Sequence, residues 1–295
     1  MKSLLFLSIL FFSLQSYAQR TIFTQYMQNP YRFNPAYAGV KGTNITESIS
    51  RLNLDDLFGN TQTSMLSYNT SLDKINSGIG ISILYDVNNN NLFHYFENKI
   101  SYNYNIKLGE THSIRLGTSI GTEQGWLNSS GLTFGSQFNG LTIDTSQPSG
   151  EEFKVKTSLI TDLGFNYSYK NFQLMGAVNI LYTSNNTAKT YKIYYGLIAY
   201  DIKLRDDIKL TPSIFYTKQG QYSSTTDINL NFYYKKLITG FTYRTNATIA
   251  FMTGFKFANR FQIVGSWERW YSKIFQYTTN GFEISLIYQP KQEKN

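Results

Sequence analysis

The sequence predicts an all-β protein, a transmembrane antiparallel β-barrel of about fourteen strands with an irregular N-terminal segment. The first observation is a hairpin over residues 97–123, in which apolar side chains such as Ile100 and Tyr102 alternate with polar ones. The second is that each arm has close to the roughly 9–11 residues that a tilted strand needs to cross a bilayer. The third is that aromatic residues make up 17% of the chain and charged residues only 16%, which is typical of barrels with aromatic girdles.

Polarity and charge argue against other classes of protein. Mean hydropathy is −0.31, and no segment after the N-terminus reaches the apolar run of about 18 residues that a membrane helix requires. A barrel tolerates this polarity because half of its strand residues face a wet interior. The formal net charge of +8 is spread over many turns without a clustered basic helix, so no nucleic-acid partner is expected. Cysteine is absent, which excludes disulfides and thiolate chemistry.

Residues 1–18 have the features of a secretory signal peptide. Lys2 supplies the positive start, the segment 4–14 is an apolar core, and Ser16-Tyr17-Ala18 is a small-residue cleavage site. The mature chain is then expected to begin at Gln19 and to reach the outer membrane of a bacterial cell. A retained anchor helix is the alternative.

Residues 19–43 form an irregular, aromatic segment that is expected on the periplasmic side. Two Asn-Pro steps, at Asn29 and Asn34, impose extended or turn geometry before each proline. So many aromatic side chains should pack against something, either as a seal at the periplasmic mouth or as a docking site for a partner. The candidate partner-binding residues of this segment are Phe23, Tyr26, Met27, Pro35 and Tyr37.

Residues 44–290 are expected to form the barrel, and residues 291–295 a short tail. The predicted strands are 44–53, 61–71, 77–87, 94–108, 112–124, 158–170, 172–183, 189–204, 207–218, 225–235, 237–246, 248–258, 260–271 and 277–289. Tight turns alternate with mostly longer loops, as in outer-membrane barrels with short periplasmic turns. Pro212 lies inside a predicted strand and cannot donate to the ladder, so a bulge or gap is expected there.

Charged side chains fall mainly on the register predicted to face the lumen. They are Arg115, Glu123, Asp162, Lys209, Lys256 and Glu283. A Lys or Arg facing lipid near mid-bilayer would cost roughly 2–4 kcal/mol, so the lumen is their expected place. Their mixed signs lead to the hypothesis of cross-lumen pairing in a narrow or plugged barrel.

The longest segment without a strand pattern is 125–157, and loops of this length are usually functional or disordered. Its apolar content includes Trp126, Phe134 and Phe138, which are further candidate partner-binding residues. The segment is expected either to fold into the lumen or to present these side chains to a protein outside. Trp267, Trp270 and Tyr271 are expected to belong to an interfacial aromatic belt.

No catalytic, metal or cofactor site is predicted. His94 and His112 are the only histidines, and they fall near opposite ends of adjacent predicted strands. One alternative remains, a hydrolase at the outer rim in which His94 would act with Asp86 and nearby serines. A second alternative is a passive porin or a transporter of apolar solutes.

Two sets of motifs resemble a known family. The N-terminal Phe23-Thr24-Gln25-Tyr26-Met27 is followed by Asn34-Pro35-Ala36-Tyr37-Ala38-Gly39, and mid-chain matches cover residues 132–137, 162–167 and 174–179. Together they resemble the PorP/SprF family of Bacteroidota outer-membrane proteins, which is linked to type IX secretion. The resemblance implies a non-enzymatic component that helps to export or hold a cognate surface protein such as a gliding adhesin. Its implied partners are outer-membrane lipid, that secreted protein, and ring or translocon proteins of the secretion system.

Overall fold

The computed structural model describes residues 22–40, 42, 44–54, 59–128, 156–183, 189–220, 224–245, 248–270 and 280–290. The predicted signal peptide and C-terminal tail lie outside these ranges. So do Phe134, Phe138 and Tyr271. No helix among the described residues is long and apolar enough to cross a membrane.

The described chain is almost entirely strand. The strands are β1 (Ile45–Leu54), β2 (Thr61–Leu72), β3 (Ser77–Asn88), β4 (Phe93–Leu108), β5 (His112–Leu127), β6 (Lys156–Tyr169), β7 (Phe172–Thr183), β8 (Lys189–Tyr200), β9 (Ile202–Arg205), β10 (Ile208–Gln219), β11 (Thr225–Tyr234), β12 (Leu237–Arg244), β13 (Thr248–Phe257), β14 (Phe261–Trp270) and β15 (Asn280–Tyr288). Asp201 alone separates β8 from β9, and both pair with β10. They therefore form one interrupted strand of the barrel wall.

The sheet closes on itself. With β8 and β9 counted as one strand, every strand pairs antiparallel with its neighbours along the chain, and β1 pairs with both β2 and β15, for example through Ile49 opposite Ser285. The result is a closed barrel of fourteen strands, which confirms the predicted fold class and strand number. Closure matters physically because it leaves no unpaired strand edge in the lipid.

Side chains alternate between the two surfaces of the wall. On β4 and β5 the outward Ile100 and Ile120 are 64% and 58% exposed, whereas the inward Ser101 and Ser119 are buried. Apolar side chains thus face outward and polar ones face the lumen. This is the inverse of a soluble barrel and is the pattern expected for a wall bathed in lipid.

The wall has an irregularity opposite Pro212, as predicted. Strand β10 pairs with β8 as far as Ser213 opposite Ala199, and with β9 from Leu210 opposite Ile202. The side chain of Asp201 lies at the interruption, where it accepts hydrogen bonds from Thr211 Oγ1 (2.6 Å) and Lys209 Nζ (3.0 Å). Side-chain hydrogen bonds therefore stand in for part of the missing ladder.

The two ends of the barrel differ in their connections. At one end, here called the short-turn end, strands are joined by tight turns such as 170–171 and 235–236, with Lys170 and Lys235 at φ of about 50° and 51°. At the other, the long-loop end, lie the connections 55–60, 128–155 and 271–279. Strand β1 starts and strand β15 finishes at the short-turn end.

Candidate functional site: a plug in the barrel lumen

The barrel lumen contains residues 22–40 of the same chain, here called the lumen plug. Two short 3-10 turns, Pro30–Arg32 and Pro35–Tyr37, give it shape. Each turn has proline at its first position, where the missing N–H is not needed. The Asn29 and Asn34 side chains cap the turns by accepting from the backbone N–H groups of Tyr31 (3.3 Å) and Ala36 (2.9 Å). The two Asn-Pro steps of the sequence thus build a compact segment.

Aromatic packing holds one side of the plug against the wall. The Tyr26 ring stacks on Phe215 of β10 with centroids 4.5 Å apart, and Phe33 lies 5.2 Å from the same ring. Tyr26 is only 1% exposed. Burial, followed by the negative charge of Asp227, raises the pKa of Tyr26 above its ordinary value. The phenol is therefore neutral at physiological pH, as a buried group should be.

Charged groups hold a second side. Glu47 of β1 is 1% exposed, pairs with the Arg32 guanidinium and accepts from Arg32 Nε at 2.9 Å. Asn29 Nδ2 donates to the same carboxylate. A carboxylate this deeply buried is tolerated only when it is paired and hydrogen-bonded. Both of these partners are residues of the plug.

A larger charge network lies where the described plug begins. Arg51 pairs with Glu268 and Glu283, and Arg244 pairs with Asp227 and, at 3.5 Å, with Glu268. These two guanidinium and three carboxylate groups leave one excess negative charge. Within this network the plug supplies further donors, because the N–H of residue 24 donates to Glu283 (2.7 Å) and the hydroxyl of the same residue donates to Glu268 (2.6 Å). The charged wall and the plug therefore stabilise each other.

Wall glycines allow the plug to approach the strands closely. A Cβ at Gly117 would lie 2.3 Å from the backbone N of Ala36, and one at Gly164 would lie 2.0 Å from Asn34 Oδ1. At Gly80 a Cβ would lie 2.4 Å from the Tyr31 hydroxyl. No real side chain fits at such distances. Several strand glycines thus make room for the plug, as glycine does where another backbone approaches a strand closely.

The structure shows where most of the predicted N-terminal segment lies. The sequence predicts that residues 19–43 form a periplasmic segment that seals the mouth or docks a partner, and in the structure residues 22–40 run through the lumen. They extend from Ile22, whose carbonyl oxygen accepts from Arg51 Nη1 (3.2 Å), to Gly39, whose N–H donates to Asn69 Oδ1 near the short-turn end (2.9 Å). Aromatic composition signalled packing, but a local motif carries no information about which distant residues it packs against.

The burial of the plug bears on the predicted partner-binding residues. Phe23, Tyr26, Pro35 and Tyr37 are buried against the wall, and Met27 is half-buried against the same cluster. In this arrangement they contact the barrel, and a protein partner would reach the buried four only if the plug moved. Their role as partner contacts stays a prediction.

The fully described long-loop candidate is Trp126, at the end of β5. Its ring stacks on His94 with centroids 5.2 Å apart and lies 6.1 Å from Tyr85. His94 Nδ1 is 2.7 Å from the Tyr85 hydroxyl, and Nε2 is 3.1 Å from the Asn91 carbonyl oxygen. Both ring nitrogens thus have neutral partners, so the geometry gives no support to a catalytic His94–carboxylate pair. His112 lies opposite Leu108, at the other end of the same hairpin, as predicted.

The structure confirms the predicted lumen position for only some of the six charged residues. Asp162 and Glu283 are buried as expected, with Lys99 Nζ 3.2 Å from Asp162 and 2.9 Å from Glu97. Arg115 and Glu123 are half-buried, and Lys209 pairs with Asp201, whereas Lys256 is exposed near the short-turn end. The charged residues that contact the plug or extend its network, and that sequence reasoning missed, are Arg32, Glu47, Arg51, Asp227, Arg244 and Glu268. The hypothesis of a filled interior is nevertheless confirmed.

The sequence itself decides the family. Residues 15–288 match the family described as type IX secretion system membrane protein PorP/SprF. The chain belongs to the PorP/SprF family. As a PorP/SprF protein it is an outer-membrane β-barrel of type IX secretion. No curated protein sequence matches it significantly.

Solved structures share the barrel of this PorP/SprF protein at low sequence identity. The CymD monoaromatic hydrocarbon channel is 12% identical with a TM-score of 0.56, over 94% of this chain and 96% of the channel. A TodX hydrocarbon channel with a deltaS2S3 mutation is 11% identical with a TM-score of 0.52, over 90% of this chain and 94% of the other. The Pseudomonas putida toluene transporter TodX is 10% identical with a TM-score of 0.50, over 92% and 93%. These likenesses establish the fold.

Proposed function

We propose that this PorP/SprF protein is a closed outer-membrane component of type IX secretion that assists export or surface attachment of a cognate secreted protein, such as a gliding adhesin. Family membership supports the link to secretion. The observation that carries the rest is the filled lumen, in which residues 22–40 contact the wall on opposite sides. A passive porin needs a continuous wet passage, and a plug tied into buried ion pairs is poorly suited to that role.

The proposed orientation has the short-turn end in the periplasm. Outer-membrane barrels have short periplasmic turns and long outer loops. Most connections of this barrel follow that division, and the exceptions are the short connections 89–92 and 245–247 at the long-loop end. Residues 1–18 act as a signal peptide in this proposal. The short-turn end then faces ring or translocon proteins, and the long-loop end faces the secreted partner.

Two sets of residues are the proposed partner contacts. Trp126, Phe134 and Phe138 belong to the long-loop end, where apolar side chains can meet a protein outside the cell. Phe23, Tyr26, Met27, Pro35 and Tyr37 are proposed to contact a partner only when the plug is displaced. Such a contact would couple arrival of the partner to opening of the lumen.

The test is deletion of the gene in its host, followed by proteomics of the culture medium and cell surface. The expected result is selective loss of one or a few secreted proteins, restored by the wild-type gene. A matched complementation uses Trp126→Ala/Phe134→Ala/Phe138→Ala against His112→Ala, which lies at the opposite end of the barrel. The triple variant should lose the partner on copurification, and His112→Ala should retain it. Unchanged levels of every secreted protein in the deletion strain would refute the proposal.

A further inference from the structure

Two lysines face outward on adjacent strands at the long-loop end, a feature that the secretion function does not use. Lys192 of β8 and Lys218 of β10 are both exposed. Their flanking neighbours Ile193 and Thr217 are buried in the lumen. By the alternation of a strand, the two lysines therefore lie on the surface that faces lipid.

The register brings the two lysines together. Lys218 lies opposite Tyr194, and the backbone N–H of Gly220 donates to the Lys192 carbonyl at 2.8 Å. Lys192 and Lys218 are thus diagonal neighbours, whose Cβ atoms are about 7–8 Å apart in an antiparallel sheet. Long, flexible stems can bring both ammonium groups to one anion placed between them. Gly220 offers no side chain that would cover the pair.

No carboxylate of the described wall neutralises this pair. The outward positions around it include Ile180, Tyr182, Thr190, Tyr194, Tyr216 and Thr226, and neither lysine has an ion-pair partner among the described residues. The adjoining connections, Ser-Asn-Asn-Thr-Ala at 184–188 and Gln-Tyr-Ser at 221–223, contain no Asp or Glu. Within the described part of the wall these two adjacent positive charges therefore have no counter-charge, and an anion from the surroundings can pair with them.

The height of the lysines on the barrel identifies those surroundings. Asp201, at the strand interruption, lies about nine residues after Lys192. With a rise of ~3.3 Å per residue and a strand tilt of about 40°, the two positions are roughly 23 Å apart along the barrel axis, close to the ~25 Å height of the apolar band in such barrels. The outward residues between them are Tyr194, Gly196, Ile198 and Tyr200. Tyr182, Tyr194 and Tyr216, which are 43%, 44% and 38% exposed, place an aromatic belt at the lysines. Aromatic belts mark the headgroup level.

We propose that Lys192 and Lys218 form a binding site for the phosphate group of an anionic membrane lipid in the leaflet at the long-loop end. The two ammonium groups pair with the phosphate, and the tyrosines Tyr194 and Tyr216 lie beside its glycerol or sugar and the upper part of its chains. A basic pair near a membrane surface strengthens anionic lipid binding several-fold per charge. The site needs no change in the plug and is independent of the secretion partner.

The test uses native mass spectrometry of the purified full-length barrel with phosphatidylglycerol as the probe. The double variant Lys192→Ala/Lys218→Ala should lose roughly tenfold or more of the lipid-bound fraction. Lys192→Arg/Lys218→Arg should retain it. The control Lys107→Ala/Lys236→Ala removes the same charge from exposed positions at the short-turn end and should bind like wild type. Heat-dependent mobility on gels checks that each barrel is folded.

Results of three kinds would overturn the proposal. One is equal lipid retention by wild type and Lys192→Ala/Lys218→Ala. Another is an equal loss in the short-turn control, which would reflect net charge alone. The third is equally strong adduct formation with zwitterionic phosphatidylcholine, or displacement of the lipid by millimolar inorganic phosphate, which would assign the site to any phosphate rather than to an anionic lipid.

Discussion

Replacing Gly117 by alanine should dislodge the lumen plug without opening the barrel wall. The new Cβ would lie 2.3 Å from Ala36 N, 2.6 Å from Pro35 C and 2.7 Å from Ala36 Cα. All three are backbone atoms, so no side-chain rotation relieves the clash. Overpacking of this kind costs typically 1–3 kcal/mol. The turn that must move also accepts hydrogen bonds from Asn103 Nδ2 at Pro35 O (3.2 Å) and Ala38 O (2.7 Å), which contribute about 1 kcal/mol each.

The overpacking and the two lost hydrogen bonds together destabilise the docked plug by about 3–5 kcal/mol. The equilibrium constant for docking should therefore fall more than about a hundredfold. The chain has no cysteine, so a single Thr24→Cys reports on the plug; Thr24 is 4% exposed. A bulky maleimide should label this cysteine at least about tenfold faster in Gly117→Ala, allowing for partial relaxation of the strand. The matched control is Gly265→Ala, where the nearest atom to an added Cβ is 3.9 Å away.

The control should label as slowly as the parent, and all variants should keep the heat-dependent gel mobility of a folded barrel. Equal, slow labelling of Gly117→Ala and Gly265→Ala would refute the close contact between the plug and strand β5. Fast labelling of the parent itself would show that the plug is not docked in the folded protein.

Two further predictions concern the charges and the phenols of the lumen. Arg51→Ala leaves two buried carboxylates, Glu268 and Glu283, without their main partner, so the free energy of unfolding should fall by about 3–5 kcal/mol in a urea titration in micelles. The control Lys209→Ala removes the ion pair with Asp201, whose two side chains are 35% and 34% exposed, and should lower the free energy of unfolding by under about 1 kcal/mol. Equal losses in Arg51→Ala and Lys209→Ala would contradict the stabilising role of the buried network. Because burial raises the pKa of Tyr26, the folded state retains a proton that the unfolded state loses above pH of about 10. Stability should therefore fall as pH rises beyond that value, and less steeply in Tyr26→Phe; identical alkaline profiles would contradict this reasoning.

Much of the wall could be predicted from the sequence because it obeys a local rule. Outward Ile100 and inward Ser101 differ by one position, and that two-residue period is visible without knowledge of the partner strand. The irregularity at Pro212 was predictable for the same reason, since a missing donor is a local property. What the sequence did not indicate is that the gap would divide the partner strand at Asp201, whose side chain accepts hydrogen bonds from Lys209 and Thr211.

The lumen plug could be predicted only as a segment that packs. Its partners lie far away along the chain, as with Thr24 and Glu283, which are 259 positions apart. No sequence periodicity or motif predicts a contact between residues so far apart in the chain. Only closure of the sheet brings them to the same height in the lumen. Glycines such as Gly117 and Gly164 on the inward register were the available signal. Their meaning required knowing that another backbone lies against them.

The central claim, a barrel closed by its own N-terminal segment, is tested most directly by the single-channel conductance of the purified full-length protein in a planar bilayer. The plug predicts no stable, long-lived open level, and it predicts stable openings when Gly117→Ala displaces it. A large, steady conductance from the wild-type protein, unchanged by Gly117→Ala, would contradict the claim.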